Sequence, residues 1–176
     1  MAAISRQCGE CGLCCKLPYI QTFKKPVGEW CKHFRKGVGC SIYAERPQDC
    51  RVFRCMWLDS AELDDKWYPK RAGLYVAFGG GGNRMIIQVD PKNPMAWRSE
   101  PFYSQIKKWS ANALRLGKHV CVYINLRVIV VFPDHEEDLG EVPGHQDITI
   151  EQYTDQTGRR AWRAKIIPLM SYGMPG

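Results

Sequence analysis

Eight of the chain's nine cysteines lie between positions 8 and 55, and cysteine thiolates are ligands for soft and borderline metal ions. The first four form the run Cys8-x₂-Cys11-x₂-Cys14-Cys15. The others are more widely spaced, at Cys31, Cys40, Cys50 and Cys55, and His33 lies two residues after Cys31. A single C-x₂-C pair is a weak signal, but two overlapping copies followed by a fourth cysteine are much more specific. The pattern predicts metal binding.

Eight thiols allow more than one arrangement. They could form two Cys₄ tetrahedra, each holding zinc. Alternatively, Cys8, Cys11 and Cys14 could join one remote cysteine around a [4Fe–4S] cluster, as the C-x₂-C-x₂-C run of ferredoxins does. In an extended chain the side chains of Cys14 and Cys15 would point to opposite faces. We therefore expect one of this pair to serve a second site or to be no ligand at all.

The remaining sequence favours a protein of the cytoplasm. The start of the chain lacks the continuous apolar core of a secretory signal. No apolar stretch approaches the roughly 18 residues that a membrane span requires. In a reducing compartment, dense cysteine indicates metal more often than disulfides. We expect a cytoplasmic protein that does not enter a membrane and whose first partner is a metal ion.

Net charge argues against nucleic acid as a partner. The formal charge is +7, which alone suggests acidic partners. Metal ligands must be deprotonated to bind, so eight thiolates holding two Zn²⁺ would reduce the charge to about +3. Most of the compositional support for nucleic-acid binding is then lost.

The composition and the hydrophobic periodicity of the sequence change along the chain. Residues 1–58 are rich in cysteine, glycine and proline, residues 59–71 form a polar bridge, and residues 72–176 have conventional periodicity. The expected fold class is α+β, with an irregular cysteine-rich metal-binding N-terminal segment packed on a body of antiparallel hairpins and one main helix. An irregular segment of this length has difficulty building a sufficient core alone, which is a further reason to expect metal.

The body predicts three hairpins and a helix. Two β-prone runs, 74–78 and 85–89, flank the glycine loop 79–82. Two further pairs of runs are 120–124 with 128–132 and 148–153 with 161–167, and residues 101–116 have helical spacing. The glycine loop precedes a strand and lacks the Lys-Ser/Thr of a phosphate-binding loop, so it predicts a turn. Cys121, in an apolar strand, is expected to be a packing residue.

The cysteine-rich segment resembles a known family. Its motifs are Cys8-Gly9-Glu10-Cys11-Gly12-Leu13-Cys14-Cys15, then Cys31, then the run from Gly39 to Cys55. These are similar to the CxxCxxCC family of bacterial cysteine-cluster proteins, described as zinc- or iron-chelating domains. The resemblance covers residues 8–55 and implies one set of metal ligands: Cys8, Cys11, Cys14, Cys15, Cys31, Cys40, Cys50 and Cys55.

The resemblance also leaves an alternative open. Some family members are described as flagellin lysine methylases, which implies an iron–sulfur enzyme that modifies protein, or an electron carrier. The chain shows no recognisable cofactor loop or acid–base pair, so we expect a binding protein rather than an enzyme.

Three arginines accompany the later cysteines. Arg46, Arg51 and Arg54 are expected to surround the metal ligands, donating hydrogen bonds to sulfur or offsetting thiolate charge. They could instead bind an anionic substrate.

Overall fold

The N-terminal part of the chain is built from very short elements joined by turns. The computed structural model describes residues 6–169. Four short helices are α1 (Leu13–Lys16), α2 (Gln48–Val52), α3 (Met56–Asp59) and α4 (Pro69–Ala72). A two-residue hairpin pairs β1 (Phe34–Arg35) with β2 (Gly39–Cys40). This irregular structure agrees with the glycine- and proline-rich sequence.

A five-stranded sheet forms the centre of the body. Its strands are β3 (Leu74–Gly79), β4 (Arg84–Val89), β5 (His119–Ile124), β6 (Arg127–Val131) and β7 (Glu136–Glu141), in the order β3-β4-β5-β6-β7. The predicted hairpins β3–β4 and β5–β6 are both present and antiparallel. The α+β class is therefore confirmed.

One strand pair corrects the prediction of purely antiparallel pairing. Strands β4 and β5 are parallel, with Ile87 opposite Val122. The chain crosses between them through α5 (Phe102–Arg115), which corresponds to the predicted helix. Parallel neighbours need a crossover of this kind, because a tight turn can join only antiparallel strands.

A separate two-stranded sheet completes the body. It pairs β8 (Gln146–Thr154) with β9 (Arg160–Pro168), as the third predicted hairpin required. Ile148 of β8 is buried against a cluster from the main sheet that includes Cys121, Val130 and Phe132. Cys121 is fully buried there, in agreement with its predicted packing role.

The main hydrophobic core lies between α5 and one face of the sheet. Ile106 of α5 and Trp97 are fully buried there, together with Val120. Ser110 turns toward the sheet and donates a hydrogen bond to the carbonyl oxygen of Val131. The helix thereby fixes the sheet face opposite the cysteine-rich segment.

Strand β3 joins the body to the cysteine-rich segment. Leu74 and Val76 belong to the main core, whereas Tyr75 and Ala77 pack with residues of the N-terminal segment. Successive strand side chains alternate between the two faces of a sheet, so both faces of β3 are covered. The continuous apolar run at this position in the sequence reflects that double burial.

Candidate metal centre

The first cysteine group is positioned by a tight turn that leads into α1. The amide of Cys11 donates to the carbonyl oxygen of Cys8, at 3.0 Å, and that of Cys15 to the carbonyl oxygen of Gly12, at 2.8 Å. Cys14 and Cys15 lie in the helical turn rather than in extended chain. Adjacent helical residues differ in direction by about 100° rather than 180°, so the two thiols are near enough to share a hydrogen bond. The extended geometry assumed from sequence was wrong at this pair.

The second cysteine group is brought back by separate elements. The amide of Cys31 donates to the carbonyl oxygen of Cys15, at 2.8 Å. Cys40 ends β2, Cys50 lies in α2, and Cys55 precedes α3. Four different parts of the chain thus return to the turn that carries the first group.

The eight cysteines line two adjoining cavities. The larger, of about 130 Å³, is lined by seven of them, all except Cys55, and also by His33. The smaller, of about 40 Å³, is lined by Cys8, Cys11, Cys14, Cys50 and Cys55. All nine cysteines of the chain are free thiols. The predicted ligands therefore share a common space.

Burial and mutual proximity make these thiols difficult to ionise. Burial raises the pKa of Cys11, and the neighbouring Cys55 raises it further. The pKa of Cys50 is raised to about 11 by burial, by Asp49 and by nearby thiols. Burial likewise raises the pKa of Cys40 and of Cys55. Several thiolates could coexist here only beside positive charge.

Cys15 is the exception. A hydrogen bond with Cys14 lowers the pKa of Cys15 to about 7, against the effect of burial. A second hydrogen bond, with Cys40, and the positive charges of Lys25 and Arg46 act in the same direction. The pKa of its partner Cys14 is raised well above the usual value, chiefly by that shared hydrogen bond. Cys15 is therefore the thiol of this pair that ionises first.

Of the three predicted arginines, Arg46 lies closest to the cysteines. It lines both cavities, and its guanidinium group lies 3.7 Å from the centre of the Tyr43 ring. Arg51 donates to the backbone carbonyl oxygens of Ala44 and Arg46. Arg54 forms an exposed ion pair with Asp59. Arg46 contributes charge to the site, whereas the contacts of the other two are with backbone and carboxylate.

Two residues at the site had no predicted role. The Tyr43 hydroxyl donates to the sulfur of Cys8, at 3.7 Å. Lys25 is buried, and its ammonium group lowers the pKa of Cys15. In the sequence Lys25 is one of two adjacent lysines, which normally indicates a solvated surface. No feature of the neighbouring sequence distinguishes Lys25 from a solvated lysine.

Among residues 6–169, no group of three or more His, Cys, Asp or Glu side chains is placed so that it could hold a metal ion. In the same residues, no helix is long and apolar enough to cross a membrane. Comparison with protein-family models, with curated proteins and with solved structures found no match to this chain.

Proposed function

We propose that this protein binds thiophilic metal, zinc or iron, through the eight cysteines of its N-terminal segment. The observation that carries this proposal is the convergence of all eight thiols, from the first cysteine turn and four later parts of the chain, on two adjoining cavities. The same eight residues are the ligand set implied by the resemblance to the CxxCxxCC family. The role of the metal is structural or chelating.

The chemistry of the donor set fits such an ion. Burial and like neighbours oppose ionisation of Cys11, Cys40, Cys50 and Cys55. A bound dication reverses this balance, because it stabilises each thiolate directly. Lys25 and Arg46 supply only part of the positive charge that several thiolates would need. A metal ion would supply the rest.

Iron–sulfur chemistry is the second candidate. The ferredoxin-like run Cys8, Cys11 and Cys14 requires one remote ligand. Cys55 is near enough to Cys11 and to Cys8 to influence the thiols electrostatically, and it lines the same cavity. This set could hold a [4Fe–4S] cluster, in an electron carrier or in an enzyme acting on protein.

Anaerobic purification without added metal tests the proposal. Elemental analysis should find zinc or iron in stoichiometric amount. Colourless protein would favour zinc, whereas a brown colour with absorption near about 400 nm would favour the cluster. Cys121→Ser, outside the cavities, is the matched control for Cys11→Ser and should retain the metal. Metal near zero in the wild-type protein, with eight thiols open to alkylation, would refute metal binding.

A further inference from the structure

We infer that the eight cysteines form two separate four-thiol metal centres, divided between the neighbours Cys14 and Cys15. This inference rests on the proposed metal binding and adds the number of centres and their ligands. The first centre comprises Cys8, Cys11, Cys14 and Cys55. The second comprises Cys15, Cys31, Cys40 and Cys50.

The first set is connected by mutual proximity. Cys55 and Cys8 lie close enough to Cys11 to raise its pKa electrostatically. Cys8 raises the pKa of Cys55 in the same way. Cys14 is close to Cys8 and Cys11. All four line the smaller cavity, whose wall also includes Leu13, Leu58 and Tyr75.

The second set is connected in the same way, and it meets the first set at the hydrogen bond between Cys14 and Cys15. Cys15 and Cys31 lie close enough to Cys40 to raise its pKa electrostatically. These two thiols and Cys40 raise the pKa of Cys50 in the same way. The backbone hydrogen bond from Cys31 to Cys15 holds two members of the set together. All four line the larger cavity.

The helical turn α1 makes this division possible. Cys14 and Cys15 are adjacent in this turn and hydrogen-bonded to each other, but their other thiol neighbours differ: Cys8 and Cys11 for Cys14, and Cys40 for Cys15. The pair therefore lies where the two sets meet, and each set receives one of the two thiols. Zinc in structural sites is almost always tetrahedral, so four ligands complete each centre.

The surroundings of the two centres also differ. The buried Lys25 lies near Cys31 and Cys15. In the first set, by contrast, Cys8 has the Tyr43 hydroxyl as a hydrogen-bond donor. Four cysteines line both cavities, so their assignment rests on their thiol neighbours: Cys8, Cys11, Cys14 and Cys50. These are the ligands that the experiment must assign most carefully.

The test is zinc stoichiometry combined with mapping of protected thiols. Full-length wild-type protein, Cys11→Ser, Cys40→Ser and the control Cys121→Ser are loaded with Zn²⁺, freed of excess metal and alkylated with iodoacetamide. Wild type and control should hold two zinc ions per chain, and each of the other variants one. In Cys11→Ser, alkylation should appear at Cys8, Cys14 and Cys55 only. In Cys40→Ser, it should appear at Cys15, Cys31 and Cys50 only.

Other outcomes separate the two proposals. One zinc ion in wild type, lost in both variants, would overturn the division while leaving metal binding intact. Alkylation, in either variant, of cysteines from the set that was not mutated would also overturn the division. Absence of both zinc and iron from wild type would refute metal binding itself. Should a variant fail to fold, cadmium-113 NMR of the wild-type protein decides, since two all-thiolate resonances are expected and a single one would overturn the division.

Discussion

At the scale of single residues, the most informative side chain beside the cysteines is a buried lysine. The Lys25 ammonium group donates to the backbone carbonyl oxygens of Lys16, Pro26 and Glu29. Only 6% of the residue is exposed. Burial lowers its pKa, while nearby Cys31 and Glu29 oppose that effect. The ammonium group thus ties the end of α1 to the loop that leads to Cys31.

Replacing this lysine should destabilise the fold. Lys25→Met keeps the apolar stem but leaves the carbonyl oxygens of Lys16, Pro26 and Glu29 without their donor. Because buried unsatisfied groups are costly, we expect a loss of about 2–4 kcal/mol in the free energy of unfolding. Lys24→Met is the control, since Lys24 is exposed, and it should change stability by less than about 0.5 kcal/mol. Urea denaturation measures both, and equal effects would show that the ammonium group has no structural role.

The contrast between Lys25 and the cysteines shows what sequence can predict at this scale. The convergence of the eight thiols on two cavities was predictable, because their type and spacing are typical of a shared metal site. Lys25 was not, because its partners are carbonyl oxygens that only the folded turn brings together. The proposed division at Cys14 and Cys15 was predictable only in part. The adjacency of the two cysteines led us to expect a second site, but the sequence did not show that the pair lies in a helical turn.

At the scale of elements, Gly39 allows two cysteine-bearing loops to touch. Its φ is +98°, and a Cβ atom there would lie 2.3 Å from the carbonyl oxygen of Gly9. Gly9 follows Cys8, and Gly39 precedes Cys40. The close approach of these two glycines therefore holds the first cysteine turn against the β1–β2 hairpin.

An alanine at this position should separate the loops. Gly39→Ala is expected to combine the cost of a positive φ with overlap against a backbone oxygen that no rotamer change relieves. Gly37→Ala is a close control, because Gly37 has φ +80° in the same hairpin but open space around its Cα. We expect about 1 kcal/mol for Gly37→Ala and at least about 2 kcal/mol more for Gly39→Ala. Urea unfolding of the two variants compares them, and similar losses would show that the contact is unimportant.

A second set of contacts joins three strands around Arg84 of β4. Its guanidinium group donates to His119 Nε2 at 2.9 Å, to the Tyr123 hydroxyl at 3.1 Å and to the carbonyl oxygen of Ile148 at 2.9 Å. It also forms an ion pair with Asp147. Burial and the Arg84 charge lower the pKa of His119 to about 4. The imidazole is therefore neutral near pH 7, as its acceptor role requires.

This histidine should make the fold sensitive to acid. Its pKa is lower in the folded protein than in the unfolded chain, so its contribution is complete above about pH 6.5 and is lost as the pH falls through about 4. Between pH 7 and pH 5 the loss is about 2 kcal/mol. His119→Gln retains an acceptor that does not titrate, so it should lose less stability over that interval. Urea unfolding at both pH values measures the difference, in which metal release common to both proteins cancels. Equal losses would contradict the argument.

Among the elements themselves, local pairings were predictable and distant ones were not. The three hairpins follow from β-prone runs on either side of turn residues. The parallel pairing of β4 with β5 depends on where α5 returns the chain, which no local pattern records. Strand β7 was also missed, because Glu136 to Glu141 is an acidic, half-exposed edge strand without apolar alternation. Its backbone pairing with β6 holds it in the sheet although its composition does not favour a strand.

At the scale of the whole molecule, the cysteine-rich segment is attached to the body through β3 and through separate contacts elsewhere. Lys16 of α1 forms a largely buried ion pair with Asp90, which follows β4. Gly28 packs so closely on the Asn125 side chain, in the β5–β6 turn, that a Cβ atom would lie 2.5 Å from its Oδ1. The cluster that joins the segment to β3 has only six buried residues, among them Leu13, Leu17 and Tyr75. The main core, by contrast, belongs to the sheet and α5.

This unequal distribution of core predicts what metal removal does. A structural zinc supplies on the order of 10–16 kcal/mol of apparent binding free energy, which the segment loses when the metal leaves. On treatment with a strong chelator, amides of residues 8–55 should exchange with deuterium much faster, together with those near Asp90 and Asn125. Amides in β4, β5 and β6 should remain protected, because their burial does not depend on the cysteines. Hydrogen-exchange mass spectrometry before and after chelation measures this, with untreated protein as the control. Equal loss of protection in the sheet would mean that the metal-bound segment and the sheet fold as one cooperative unit. Unchanged exchange throughout would mean that metal contributes nothing to the fold.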